Sequence, residues 1–364
     1  MTGANGAVPP DPALFLVLPA GRVPTPAMVR AVAGGALLRD VAAMTAAGAW
    51  QAAAALVASC GVPRIEAVRT PAACGAAGHL VGRAPADLAT HDRFFRIYRV
   101  GGPPVAVFLH SMLRAAALFH AEMAAEPAER RAYFGAVGAG FAALLAWLQG
   151  VPTAMLALEV EPMPLGASNC DPMTRWILGH QIFAALTQGL IMALQGFETA
   201  IAIGDTASAQ TALGLAADLL AASAMAFRFA CDFPPEAYRD VVRPSMMPPH
   251  IREGFSGLLS DDHRTLVQVL SRLRPLMAAA EIRFPDAHAR LTRALQRVYD
   301  DHVLICARFG GAEAPSLRGQ TCSHLSGVVQ LEQYRHARLR LLRPLAQGAN
   351  ADATEDASAL GPIT

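Results

Sequence analysis

Four long runs between Pro104 and Ala230 constrain this chain more than anything else in it: residues 104–124, 127–149, 172–198 and 206–230, rich in alanine and leucine and each bounded by Pro, Gly or Asp. Alanine and leucine are strong helix formers, and β-branched stretches that would favour a sheet are scarce. The runs predict an all-α fold. Further helices are expected over 36–59, 235–243, 261–278, 285–309 and 324–345. With 364 residues, 53% of them hydrophobic, a single helical domain over 26–348 has ample material for a core. Residues 1–25 are rich in Pro and Gly and read as an extended arm, and 349–364 as a disordered tail.

Composition excludes several classes of function. The net charge of +1 offers no electrostatic footprint for nucleic acid or an anionic membrane surface. Every basic residue is arginine. The N-terminal apolar patch lacks a basic region before it and does not read as a signal peptide. No apolar stretch is expected to span a membrane; "AVGAGFAALLAWLQGVP" is stopped by Gln149 and Pro152. The six cysteines are scattered, with no Cys-x-x-Cys pair, so reduced thiols and a cytoplasmic location are expected.

The chemistry concentrates near the C-terminus, in "YDDHVLICARF", Tyr299–Phe309. His302 and Cys306 are four apart and share a helix face. Leu291, Leu295, Val298, Ile305 and Phe309 follow the same stripe, which turns the pair inward; Arg293, Arg297 and Arg308 fall largely on the other side. Three readings fit. The two are core residues, as buried histidines and free cysteines often are. With Cys322 and His324 of "TCSH" they complete a structural zinc set. Or His302 is an axial haem ligand, and Cys306, about 6 Å along the helix, lies beside a porphyrin vinyl group.

Upstream, "SDDHRTLVQVL" opens a helix with Ser260 as N-cap and His263 in the first turn. A helix N-terminus disfavours imidazolium, whereas Asp261 and Asp262 push the other way. Arg243 ends a short helix before Pro244, where it either offsets the macrodipole or offers a fork to a carboxylate. Between these, "PPEAYRDVVRPSMMPPHIREGFSG" breaks the helical pattern with its Pro and Gly, as functional loops often do.

"VYDDHVLICARF", then "RGQTCSHLSG" and a final helix, resembles the proximal region of the indoleamine and tryptophan 2,3-dioxygenases. "PPEAYRDVVRPSM" resembles the stretch that carries their arginine for the amino-acid carboxylate. Within the histidine-ligated haem-dependent aromatic oxygenases, His-x-x-x-Cys is similar to the branch of 3-methyltyrosine hydroxylases of saframycin-type antibiotic biosynthesis, as is "RPSMMPPHIREGFSGLLSDDHR". The resemblance is sharp over 227–340 and architectural before that.

It implies an all-α haem enzyme of the dioxygenase-like type, an oxidoreductase that hydroxylates the phenol ring of a tyrosine-like amino acid. Conversion of 3-methyltyrosine to 3-hydroxy-5-methyltyrosine is favoured, with hydrogen peroxide or oxygen as oxidant. It further implies a haem b-derived cofactor tied through Cys306 and ligated by His302, His263 as the distal catalytic group, and Arg243 with Tyr238 on the substrate. Where the dioxygenases have an arginine three residues before the proximal histidine this chain has Tyr299, which leaves Arg335 or Arg338 to hold the propionates. Gly319–Ser323 is expected to close over substrate or propionates. A homodimer is one expectation for the assembly. Indole dioxygenation and a non-catalytic helical protein with zinc are the alternatives.

Overall fold

The computed structural model describes residues 15–63, 86–151, 163–166, 168, 170–251, 260–310 and 327–343. Its helices are α1 (Pro26–Val32), α2 (Ala36–Ala46), α3 (Trp50–Ala58), α4 (Ala86–Phe94), α5 (Pro104–Ala124), α6 (Ala128–Leu148), α7 (Pro172–Ala202), α8 (Thr206–Ala230), α9 (Asp261–Arg283), α10 (Pro285–Gly310) and α11 (Gly327–Arg340). The fold is all-α apart from a two-stranded parallel ribbon. There β1 (Phe15–Val17) pairs with β2 (Ile97–Arg99), Phe15 opposite Ile97.

Local chemistry explains where the helices begin. Thr25 accepts from the Met28 amide, with Pro26 in the first turn of α1, and Asp171 does the same for α7 through Thr174, followed by Pro172. Asp205 caps α8 through the Ser208 amide. Each side-chain oxygen satisfies an N–H that has no partner within its helix.

Helices α7 and α8 run antiparallel through the centre, brought close by small residues. A Cβ on Gly179 would lie 2.2 Å from that of Ala230, and one on Gly140 of α6 would lie 2.6 Å from that of Ala222. Against α8 lies α10, parallel to it and registered by buried ion pairs: Asp218 with Arg290 at 2.6 Å and Arg228 with Asp301 at 2.8 Å.

Several expectations need correcting. The segment 36–59 is two helices, because Gly48 takes φ +75°, a left-handed turn that no α-helix continues. Helices α1 and α4 were not expected, and α9 runs on through Pro275 to Arg283. Residues 15–18 are no arm outside a domain that begins at 26: Phe15, Val17 and Leu18 are fully buried, since so apolar a patch gains most inside the core. Four helices, α5 to α8, are long and apolar enough to cross a membrane by length and composition, against the expectation that none is. In this fold their apolar surface meets protein: 89% of the apolar window of both α7 and α8 is buried.

Candidate active site

His302 and Cys306 lie one turn apart on α10, beside the buried Tyr299 and Ile305. Both are only half-buried, yet burial pushes the His302 imidazole down to about 4, with the His263 charge adding to the effect. Burial likewise raises the Cys306 thiol to about 11. Groups that are accessible and still strongly desolvated line a recess rather than a convex surface. The Phe227 ring of α8 closes on His302, centroids 4.4 Å apart. Arg308 does not fall on the outer face: it bends back to the carbonyls of Leu165, Cys231 and Phe233 at 3.0–3.3 Å.

The two histidines are held in the same manner. Each follows Asp-Asp, and in each case the second aspartate is buried and paired with an arginine from another element. Before His302, Asp301 takes both Arg228 at 2.8 Å and Arg297 at 3.0 Å. Before His263, Asp262 takes Arg99 of β2 at 2.8 Å and the Gln188 amide of α7 at 2.9 Å. Asp261 binds Arg264 at 2.7 Å and accepts from the Ala20 amide. Both acids beside His263 are therefore engaged by arginine. Ser260 occupies the N-cap with extended backbone, but its side chain makes no capping bond. The buried pairing of Asp262 and Asp301 with arginines was missed in the sequence; the repeated Asp-Asp-His was the available signal.

Tyr238 and Arg243 meet through a π-helical turn, Tyr238–Val242. Residues five apart on an α-helix point about 140° away from each other; the wider turn brings them together, as π turns at functional sites often do. Burial raises the Tyr238 phenol to about 12, opposed by the Arg243 charge and its hydrogen bond to the phenol. Among the described residues no Asp or Glu pairs with Arg243. The Tyr238 ring stacks on Phe309 at 4.4 Å, and Phe309 on Phe233 at 5.3 Å. Phe309 stands three residues past Cys306, so this aromatic wall adjoins the thiol.

On the next turn back, Tyr299 accepts a hydrogen bond from Arg338 of α11. Arg338 is 7% exposed, and among the described residues its Nε and Nη1 have no partner. Arg335 instead is neutralised by Asp300 at 2.9 Å and Glu332 at 2.7 Å. Both arginines considered for the propionates keep an unpartnered Nε, but among the described residues only Arg335 is ion-paired with acids. Cys322, His324 and the Gly319–Ser323 loop lie outside the described residues. Among the described ones, no group of three His, Cys, Asp or Glu side chains is placed to hold a metal.

The donor set fits haem: a neutral imidazole for iron, a thiol one turn along, an aromatic wall, and a buried guanidinium lacking its anion.

Comparison with known proteins agrees with this chemistry. Residues 10–291 match the family described as SfmD 3-methyl-L-tyrosine peroxygenase, a span that includes Tyr238, Arg243 and His263 and stops before His302. The 3-methyl-L-tyrosine peroxygenase of Streptomyces lavendulae is 31% identical over 283 residues, 77% of each chain. A crystal structure of reduced SfmD, soaked with sodium hydrosulfite, superposes with a TM-score of 0.56 at 25% identity, covering 80% of this chain and 96% of that one. By the extent of both matches, this chain belongs to the SfmD 3-methyl-L-tyrosine peroxygenase family.

Proposed function

We propose that this protein is a haem-dependent peroxygenase that hydroxylates the phenol ring of a tyrosine-like amino acid, with 3-methyl-L-tyrosine the favoured substrate, in the biosynthesis of a natural product. The supporting observation is that His302 and Cys306 share one recess, within electrostatic reach of His263 and next to the Tyr238–Arg243 pair. In net terms one ring C–H becomes C–OH while hydrogen peroxide leaves as water. We take the cytoplasm as its compartment, where the free thiols Cys60, Cys170, Cys231 and Cys306 stay reduced.

Haem, when bound, supplies the oxidising chemistry. The neutral imidazole of His302 would hold its iron. The Cys306 thiol, one turn along α10, would tether the porphyrin as a thioether. Arg338 would face a propionate. A ring nitrogen of His263 takes up the proton from the phenol or peroxide oxygen. Arg243 grips the amino-acid carboxylate bidentately, and Tyr238 with Phe309 covers one face of the substrate ring.

Mass spectrometry of denatured protein, paired with product analysis, tests this reading. Wild type should retain one haem's mass; Cys306→Ala should bind haem but release it in acidified organic solvent; His302→Ala should lose most haem. His263→Phe should load haem yet lose at least about two orders of magnitude in turnover. A colourless wild-type protein, or ring-opened tryptophan without any catechol from 3-methyl-L-tyrosine, would overturn it.

A further inference from the structure

One more imidazole lies beside the candidate site, one ring away from Tyr238 through Trp176, and nothing in the reaction described so far uses it. His180 lies on α7, directly after Gly179, which packs tightly on Ala230 of α8. Its Nδ1 is 2.7 Å from the carbonyl oxygen of Trp176. A carbonyl only accepts, so Nδ1 carries the proton and Nε2 presents a lone pair. The ring cannot easily turn away from this arrangement. It stacks on Phe95 with centroids 3.7 Å apart and planes 10° from parallel, and Trp176 packs against it at 4.5 Å.

Two facts direct Nε2 towards a ligand. First, His180 is half-buried rather than sealed, and the Trp176 ring that packs against it also meets the Tyr238 ring of the candidate site, centroids 6.0 Å apart. Second, among the described residues no donor reaches Nε2; the Trp176 carbonyl is the ring's hydrogen-bond partner. Burial holds the imidazole at about 3, with the His91 and His302 charges pressing the same way, so it stays neutral throughout the working range. A rigid, neutral acceptor without a donor is complementary to a hydroxyl group. It is poorly matched to a carboxylate, which offers no proton, and Arg243 already serves that end of an amino acid.

We propose that Nε2 of His180 accepts a hydrogen bond from the phenol hydroxyl of the substrate and so selects phenolic amino acids and fixes the orientation of their ring. This rests on the hydroxylase reading above. With the carboxylate on Arg243 and the hydroxyl on His180, both ends of the amino acid are held, which leaves a single edge of the ring to be oxygenated. Such positioning is worth most when it comes from preorganised groups that need no rearrangement on binding.

The test compares 3-methyl-L-tyrosine with its deoxy analogue 3-methyl-L-phenylalanine by equilibrium dialysis against full-length, haem-loaded protein. Wild type should prefer the phenol by roughly 2–12-fold, the value of one neutral hydrogen bond. His180→Phe keeps a flat ring between Phe95 and Trp176 and should abolish the preference, binding the deoxy analogue as wild type does, with the haem spectrum unchanged. His180→Gln, which offers an amide oxygen as acceptor, should restore part of the preference. Retention of the wild-type preference by His180→Phe overturns the proposal, and so does a wild type that binds both compounds equally, even if no variant folds. A wild type that binds neither amino acid sinks the hydroxylase reading, and this inference with it.

Discussion

At the scale of single residues, the Arg243 side chain meets the Tyr238 phenol, and helical backbone runs on through Pro244 to Ser245, so Arg243 does not end a short helix as expected. Its phenol partner Tyr238 leaves its charge unneutralised, and on the proposed function the substrate carboxylate would be the counterion. A charge-assisted hydrogen bond is worth about 1.5–3 kcal/mol, so Arg243→Ala should weaken binding of 3-methyl-L-tyrosine by roughly 10–150-fold while binding of the decarboxylated amine is unchanged. Equal loss for both ligands in dialysis would assign Arg243 to packing alone. His180 leaves a different signature, in the pH dependence of stability. Its pKa of about 3 in the folded chain lies below the unfolded value near about 6.5, so the unfolded state binds the extra proton. The stability it contributes is fully present above about 6.5 and is lost as pH falls towards 3. The melting-temperature advantage of wild type over His180→Phe should therefore shrink across that window, and a constant difference would mean that His180 does not titrate on unfolding. At this scale the candidates His302, Cys306, His263 and Arg243 were visible by type and position, and Tyr238 through the family resemblance. His180 did not, because inside "RWILGHQIFAALTQG" a lone histidine is indistinguishable from a core residue until its two ring nitrogens are given partners.

Among elements, the site depends on how α10 registers on α8. The pairing runs through Asp301, 2% exposed, between Arg228 and Arg297, and Arg228 also donates to the Tyr133 hydroxyl of α6. Replacing Asp301 by Asn keeps the shape and leaves two guanidinium groups without their counterion. Breaking a buried pair in this way costs about 3–5 kcal/mol. Because His302 is the next residue, Asp301→Asn should also reduce haem loading in the protein that still folds. A variant with wild-type melting temperature and haem content would show that α10 is held by its apolar stripe alone. The long helices themselves were readable, since alanine- and leucine-rich runs with Pro, Gly or Asp at their ends leave few alternatives. The short ones were not. Helix α1 had a capping threonine and a first-turn proline but only seven residues, and α4, "ADLATHDRF", lacks any apolar period. The π turn at Tyr238 was invisible for a different reason: its extra residue per turn carries no compositional mark and is recognised only by the hydrogen bond from Arg243 back to Tyr238.

Over the whole molecule, the N-terminal strand and the His263 side of the site form one structure. The Leu18 carbonyl accepts from Arg99 at 3.1 Å and from Gln188 at 2.8 Å, and these same two side chains hold Asp262. A strand at the start of the chain thus helps to place a histidine more than two hundred residues later, a linkage that no local pattern announces. Its apolar contribution is large as well. Phe15, Leu16, Val17 and Leu18 are 0–3% exposed, and burying side chains of this kind is worth about 1.5–3 kcal/mol each as an upper bound. Four of them together approach the entire net stability of about 5–15 kcal/mol typical of a folded protein. Two variants separate the two roles. Phe15→Ala should cost about 3–5 kcal/mol but keeps the Leu18 carbonyl, so the haem spectrum of the folded fraction should match wild type. A chain that begins at Pro19 loses both the apolar cluster and the carbonyl, and should fail to unfold cooperatively and fail to give the wild-type haem spectrum. If the truncated protein instead melted at the wild-type temperature with an unaltered haem spectrum, β1 would be an ornament on the fold, and Arg99 and Gln188 would hold Asp262 without its help.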